Sequence, residues 1–167
     1  MILTTNRLTL RKPDARDIQP MVDFYASDRS KFVAGPMTPG QAWRQFAAEV
    51  GHWDLLGYGM WTVTLTTTGE GLGLVGPWTP NNWPEKEVGW LMWDNSHGKG
   101  YATEAARAAV DDAYIRLGWD TVVSYVASEN LASAKVAQKL GAVVDANAPQ
   151  PYPEAPVDVY RHPKVVA

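Results

Sequence analysis

A chain of 167 residues is long enough for one domain whose core buries roughly 70% of the unfolded surface. Its net charge of −3 excludes a broad cationic surface for nucleic acid or an anionic membrane, and the lack of cysteine excludes a thiol nucleophile and a zinc–thiolate site. The three histidines have no metal-binding spacing and no apolar run reaches the ~18 residues of a membrane span, so we expect one cytoplasmic domain over residues 1–167 with no metal.

The first half of the chain predicts a strand, two helices and a three-stranded meander. Polar and apolar side chains alternate from Arg7 to Lys12, as in a half-buried strand, and Pro13 ends the pattern. Apolar residues recur at helical spacing over residues 14–27 and 38–53. Clusters of Gly, Pro and Asn, which are typical of turns, separate three strand-like runs. These runs cover residues 60–67, 71–79 and 87–93.

The second half predicts a helix, a strand, a second helix and a last short strand. The first helix has a stripe of small side chains that lets it lie close on a sheet, and it ends at Gly118. The stripe consists of five alanines and a final leucine: Ala102, Ala105, Ala106, Ala109, Ala113 and Leu117. Residues 121–127 are apolar on both faces, as in a central strand, and residues 130–140 form the next helix. A proline-rich loop precedes a strand over residues 157–161, so the whole order predicts a mixed α/β sandwich.

The segment HGKGYATEA, residues 97–105, stands where the alanine-rich helix begins. A helix N-terminus carries unpaired N–H groups and partial positive charge, and glycines let a bulky anion approach them. This pattern suits a diphosphate, with Lys99 adding a charge and Thr103 and Glu104 opening the first turn. Alternatively, Gly98 and Gly100 only shape the turn. The dinucleotide fingerprint and the Walker lysine are both missing, so the spacing does not name the ligand.

Four stretches of the sequence resemble the GNAT acyltransferase superfamily, and within it the Rim-type ribosomal-protein N-acetyltransferase branch. The loop pattern Q/R-x-x-G-x-G/A falls on His97, Gly100 and Ala102, and GYATEA is similar to the Rim-type version. The run PEKEVGWLMW resembles the fourth strand, ENLASAKVAQKLGA the second motif, and NRLTLRKPDARD the opening of that family. The match covers nearly the whole chain.

This resemblance implies a GNAT-like fold of order β-α-α-β-β-β-α-β-α-β-β, with the sheet splayed between its fourth and fifth strands. It also implies acetyl-CoA as acyl donor, with its diphosphate on the backbone of residues 98–102 and its carbonyl on a backbone N–H of residues 91–93. The implied donor-binding residues are Leu91, Met92, Trp93, His97, Gly98, Lys99, Gly100, Tyr101, Ala102, Thr103, Asn130 and Ser133. His97 and Ala142 depart from the family pattern, and the family's acidic tyrosine falls on Ala137.

Two side chains are candidates for proton transfer. Ser133 lies on the apolar stripe of its helix, and the resemblance implies that it protonates the leaving thiolate; alternatively it bonds back to a carbonyl one turn earlier. Asn130 is a favoured helix N-cap that could also reach the pantetheine arm. Glu87 shares a strand face with Gly89 and Leu91 and is our candidate base, the alternative being a solvated edge charge.

The acceptor amine decides how much a base is needed. A lysine amine with a pKa of about 10.4 costs about 4.6 kcal/mol to neutralise at pH 7, whereas an α-amine costs about 1 kcal/mol, so a protein N-terminus could react without a side-chain base. Seven of the eight tryptophans lie between Trp43 and Trp93. With His52 and Tyr58 they predict either an aromatic amine cleft around Trp53 or plain core.

Acetyl-CoA-dependent transfer to a primary amine is therefore our leading hypothesis. The acceptor is a protein N-terminus or a small molecule, and attack is direct within a ternary complex because no covalent nucleophile is evident. The alternative is a non-catalytic acyl-CoA-binding module, and a weaker one is a phosphate-binding fold unrelated to CoA. We expect a monomer or homodimer with no nucleic-acid or membrane partner.

Overall fold

The computed structural model describes residues 1–93 and 96–164. Within them the chain forms β1 (Ile2–Thr4), β2 (Leu8–Arg11), α1 (Ile18–Ala26), α2 (Pro39–Leu56), β3 (Trp61–Leu65), β4 (Gly71–Trp78), β5 (Glu87–Met92), α3 (Tyr101–Ile115), β6 (Val123–Val126), α4 (Leu131–Lys139), β7 (Val143–Val144) and β8 (Asp158–Arg161). Short 3-10 helices, Ala15–Asp17 and Asp28–Phe32, flank α1. None of the described helices combines the length and apolar character needed to cross a bilayer.

All eight of these strands belong to one mixed sheet in the order β1-β2-β3-β4-β5-β6-β8-β7. Strands β1 to β5 are antiparallel neighbours, and β8 pairs antiparallel with both β6 and β7. Strands β5 and β6 run parallel and pair at one position, Glu87 with Val123, where both strands begin. They diverge beyond it. The splay between the fourth and fifth predicted strands, and the mixed α/β fold, are therefore confirmed.

The structure differs from the sequence prediction mainly at short elements. The strand β1 was not predicted, because its three residues are too few to show alternation. The predicted helix over residues 14–27 starts with a 3-10 turn, which Asp14 caps by accepting the N–H of Arg16, and α1 begins at Ile18. Strand β7 has only two exposed residues and follows from the fold order rather than from any periodicity.

Two helix layers cover the two faces of the sheet. On one face α3 packs through alanines that are fully buried, against Leu8, Leu10 and Val63. On the other face α1 and α2 bring Met21 and Phe46 onto Leu74 and Leu91. The alanine stripe thus brings α3 close to the sheet beside the splay, as its small side chains predict.

Asp17 ties the start of α1 to the sheet. Its carboxylate is 3% exposed and accepts bonds of 2.8 Å from both terminal nitrogens of Arg11 and of 2.7 Å from the Thr62 hydroxyl. Without the Asp17 carboxylate, the half-buried Arg11 is left with its 3.0 Å ion pair with Asp14, and the buried Thr62 hydroxyl loses its acceptor. We expect Asp17→Ala to lower the free energy of unfolding by about 3 kcal/mol in urea denaturation.

A matched control is Arg16→Ala. The Arg16 side chain is 73% exposed and pairs with Asp14 at 2.6 Å, and solvent screens an exposed pair of this kind, so its loss should change the stability little. Equal losses for Asp17→Ala and Arg16→Ala would contradict a structural role for the buried bond set.

Candidate active site

A cavity of about 350 Å³ opens where β5 and β6 diverge. Its walls come from both helix layers: α1 and α2 on one side, the start of α4 on the other, and the loop before β8 at the rim. Most of the lining that the structure describes is aromatic or apolar, and the charged side chains in this part of it are two glutamates. A buried, largely apolar cavity with a few polar groups is the usual form of a small-molecule site.

Glu87 is the first of these glutamates and begins β5. It is 8% exposed and accepts a 2.7 Å bond from the indole N–H of Trp83, so it is not the solvated edge charge of the alternative interpretation. Burial raises the pKa of Glu87 to about 7, against the opposing hydrogen bonds from Trp83 and the Tyr125 backbone. A carboxylate with a pKa near the working pH is suited to general base chemistry.

Glu49 on α2 is the second glutamate, and the sequence analysis missed it. It is 2% exposed; Oε1 accepts a bond of 3.2 Å from the Gln45 amide, and Oε2 is buried with no partner among the described residues. Burial, with the nearby charge of Glu87, raises the pKa of Glu49 to about 8. The signal was visible, because Glu49 continues the apolar stripe of Ala42 and Phe46 at helical spacing.

Ser133 and Asn130, from the start of α4, line the same cavity. The Ser133 hydroxyl accepts a bond of 3.2 Å from the Trp90 indole instead of bonding back to a carbonyl, and its own hydrogen can serve an acceptor in the cavity. Asn130 caps α4 as its residue type predicts, since its side chain accepts the backbone N–H of Ser133 at 3.1 Å. The cavity therefore places Glu87 and Ser133 on one site from two different layers.

The glycine-rich turn lies at the N-terminus of α3. Gly98 and Gly100 have φ values of +70° and +79°, Gly100 is the N-cap, and no side chain among the described residues caps this end. A Cβ on Gly98 would meet nothing within 4 Å, so the backbone there borders open space. Tyr101, Ala102 and Thr103 form the first turn, whose N–H groups are directed out of the helix.

The charges around this turn favour an anion. Glu104, the acidic residue of the first turn, pairs with Arg7 at 2.6 Å and accepts a 2.5 Å bond from Thr5, so its charge is compensated. Arg7 also donates to the Lys99 carbonyl at 3.0 Å, which fixes the turn, and the His97 ring contacts Arg29. The turn therefore fits a diphosphate, through backbone donors that glycine leaves accessible.

The segment of residues 91–93 offers a single backbone donor to the splay. The Trp93 N–H donates to the Leu72 carbonyl of β4 at 2.8 Å, and Leu91 has the same orientation by alternation along the pairing. The Met92 N–H points the other way, toward β6. Of the three backbone N–H groups that the resemblance implies, that of Met92 is therefore our candidate for a hydrogen bond to the thioester carbonyl oxygen.

The aromatic cleft predicted around residues 52, 53 and 58 is not where the cavity lies. Trp53 packs edge-on against Trp61 with ring centroids 4.4 Å apart, and His52 accepts the Thr79 N–H at 2.9 Å, so both are core residues. The aromatic walls of the cavity come from other positions. They are Tyr25, Trp78, Trp83, Trp90, Tyr125 and Tyr152.

A sheet splayed beside a glycine-rich helix N-terminus is the architecture of an acyltransferase. The family model described as an acetyltransferase (GNAT) domain matches residues 7–143, and the chain belongs to the GNAT acetyltransferase family. Its reaction is acetyl-CoA-dependent acetyl transfer, with acetyl-CoA as the acyl donor.

Individual proteins agree with this assignment. The uncharacterized Bacillus subtilis protein YkkB is 30% identical over 148 residues, 83% of each chain. The crystal structure of an acetyltransferase from Agrobacterium tumefaciens is 40% identical with a TM-score of 0.90, covering 97% of this chain and 94% of that one. RimL, a ribosomal L7/L12 alpha-N-protein acetyltransferase in complex with coenzyme A, shares the fold at 16% identity and a TM-score of 0.74, covering 97% and 96%.

Proposed function

We propose that this protein acetylates a primary amine by direct attack within a ternary complex, with Glu87 as base and Ser133 as acid. The observation that carries the proposal is the placement of both side chains on one cavity at the splay of β5 and β6. The acceptor is a small amine or a peptide N-terminus. The similarity to RimL, an acetyltransferase of the α-amine of ribosomal L7/L12, supports the second class.

In this proposal Glu87 accepts a proton and Ser133 donates one. Acetyl-CoA supplies the thioester carbonyl and the thiolate that leaves. Glu87 takes a proton from the acceptor ammonium, which frees the nitrogen lone pair for the new C–N bond. The Met92 N–H would donate to the carbonyl oxygen of the donor as that oxygen gains charge, and Ser133 would give its proton to the sulfur as the C–S bond breaks.

Ser133 regains the proton that it gives to the sulfur. The acceptor nitrogen loses its second proton after the C–N bond forms, and this proton restores the Ser133 hydroxyl. The indole N–H of Trp90, already 3.2 Å from the Ser133 oxygen, stabilises the negative charge that develops there in between. The products are the amide, the free thiol and one proton, which Glu87 releases to solvent.

Replacement of Ser133 by alanine tests the acid role. We expect Ser133→Ala to lower kcat by about 100-fold, the low end of the range for a general acid, with little change in affinity for coenzyme A. Thiol release from acetyl-CoA is measured over a panel of peptides, polyamines, aminoglycosides and amino acids. The matched control is Ser128→Ala, which removes an exposed hydroxyl from the loop before α4.

Two outcomes would contradict the proposal. An unchanged kcat in Ser133→Ala would make the hydroxyl a packing residue. Binding of coenzyme A, seen as a raised melting temperature, without turnover of any amine would instead favour the non-catalytic acyl-CoA-binding module.

A further inference from the structure

Glu87 has a role in the proposed transfer, whereas Glu49, the second buried glutamate of the cavity, has none. Its Oε2 atom is buried and has no partner among the described residues, although Oε1 is held by Gln45. A buried carboxylate oxygen left unpaired is costly, and natural proteins retain such a group where a ligand completes it. Glu49 lines the cavity, so the missing partner is expected to come from an occupant.

The surroundings of Glu49 define the chemistry of that occupant. The described lining includes two carboxylates and no lysine, arginine or histidine, and its aromatic rings include Tyr25, Trp78 and Trp83. Carboxylates and aromatic faces together favour a cation that also donates hydrogen bonds. An ammonium group has both properties.

The two glutamates belong to different elements, so each can meet a separate ammonium group of one occupant. Glu87 begins β5 at the splay, whereas Glu49 projects from α2, which covers that face of the sheet. Beside Glu87 the cavity wall includes Gly89, which has no side chain, and the methyl group of Met60. A Cβ on Gly89 would lie 3.4 Å from Glu87 Oε1 and 3.9 Å from the Met60 methyl carbon. An apolar linker between two nitrogens matches this wall.

We infer that Glu49 is a specificity-determining residue that binds the second ammonium of a small diamine acceptor, while Glu87 serves the nitrogen that becomes acetylated. This inference rests on the proposed function, because it names the class of amine for the same site. A peptide N-terminus carries one ammonium group followed by a carbonyl, so its backbone does not supply a second cation for Glu49.

Matched pairs of acceptors test the inference. Thiol release is measured with the diamines from propane-1,3-diamine to hexane-1,6-diamine and with the monoamines from propylamine to hexylamine. The wild-type protein should prefer the best diamine over the monoamine of equal length by at least about tenfold in kcat/KM, the effect of one charged hydrogen bond. Glu49→Gln should remove the preference, mainly through a higher KM, since glutamine keeps the shape but not the charge.

A matched control and a binding measurement separate the possible outcomes. Glu70→Gln changes an exposed carboxylate in the turn between β3 and β4 and should keep the diamine preference. The melting temperature of each variant, with and without diamine, reports folding and binding without turnover.

The inference is overturned if diamines and monoamines react alike in the wild-type protein, or if Glu49→Gln keeps the preference. Diamine binding that depends on Glu49 without turnover of any amine would uphold the inference and refute the proposed transfer. If diamines neither react nor raise the melting temperature, the inference fails.

Discussion

Replacing Glu87 with glutamine should lower kcat/KM for amine acetylation by about 100- to 1,000-fold, the range expected when a general base is removed. Glutamine keeps the side-chain length and can still accept the bond from Trp83, which lies 2.7 Å from the carboxylate. The Trp83 ring is also held edge-on by Tyr125 and Tyr152, so the local packing should survive. What is lost is the ability to take a proton.

The pH dependence identifies the group. Burial raises the pKa of Glu87 to about 7, so the base is protonated and inactive below that pH and ionised above it. The ratio of wild-type to Glu87→Gln kcat/KM should therefore rise as pH increases from about 6 to 8 and then level off. Taking this ratio with one acceptor cancels the ionisation of the amine itself.

The tyrosines that line the cavity do not change charge between about pH 6 and 8, so they do not contribute to this pH profile. Burial raises the pKa of Tyr125 to about 12 and also raises the pKa values of Tyr25 and Tyr152, so these phenols stay neutral across the range. Among the described residues that line the cavity, Glu49, with a pKa raised to about 8, is the other carboxyl group whose charge changes in this pH range. Repeating the titration in Glu49→Gln separates its contribution.

Glu85→Gln is the matched control for the base. Glu85 lies two residues before Glu87 and is bound by Arg161 through contacts of 2.8 and 2.9 Å, outside the cavity lining. Its activity and pH profile should follow the wild type. A pH-independent ratio for Glu87→Gln, or an equal loss in Glu85→Gln, would remove Glu87 from the role of base.

Helices, strands and local turns could be predicted from patterns in the sequence, whereas the pairing of elements that are distant in the chain could not. Helical spacing and alternation predicted the helices and the main strands, and Asn130 was recognisable as a cap because its capping bond reaches only three residues along the chain. The splay followed from family resemblance. No local pattern encodes it, since the single pairing of Glu87 with Val123 joins residues from separate parts of the sequence.

The candidate site shows the same division. Glu87 and Ser133 could be proposed from their places on a strand face and a helix stripe, yet their meeting in one cavity depends on tertiary packing. Two interpretations stayed open for the aromatics around Trp53, a cleft or plain core, because proximity in sequence does not reveal which residues face the core; in the structure Trp53 belongs to the core. Glu49 was overlooked because a helix stripe shows that a residue is buried without showing what it faces.

The glycine-rich turn yields the second large effect: Gly98→Ala combined with Gly100→Ala should raise the dissociation constant for coenzyme A by about 10- to 100-fold. Both residues have positive φ, where an alanine costs roughly 1–2 kcal/mol because its Cβ approaches the backbone carbonyl. The strained turn is expected to relax toward negative φ and to rotate its N–H groups away from the diphosphate. Calorimetry with coenzyme A and with ADP measures the loss, and both ligands should weaken because both carry the diphosphate.

Gly118→Ala separates this effect from general strain. Gly118 follows the other end of α3 with φ +64°, and a Cβ there, as at Gly98, would meet nothing within 4 Å. It should therefore lower the melting temperature through the same backbone strain while leaving the affinity for coenzyme A unchanged. If the double variant binds coenzyme A as the wild type does, or if Gly118→Ala weakens binding equally, the diphosphate is not held by this turn. A selective loss would show that the positive-φ geometry of the turn at the start of α3 is needed to hold the acyl donor.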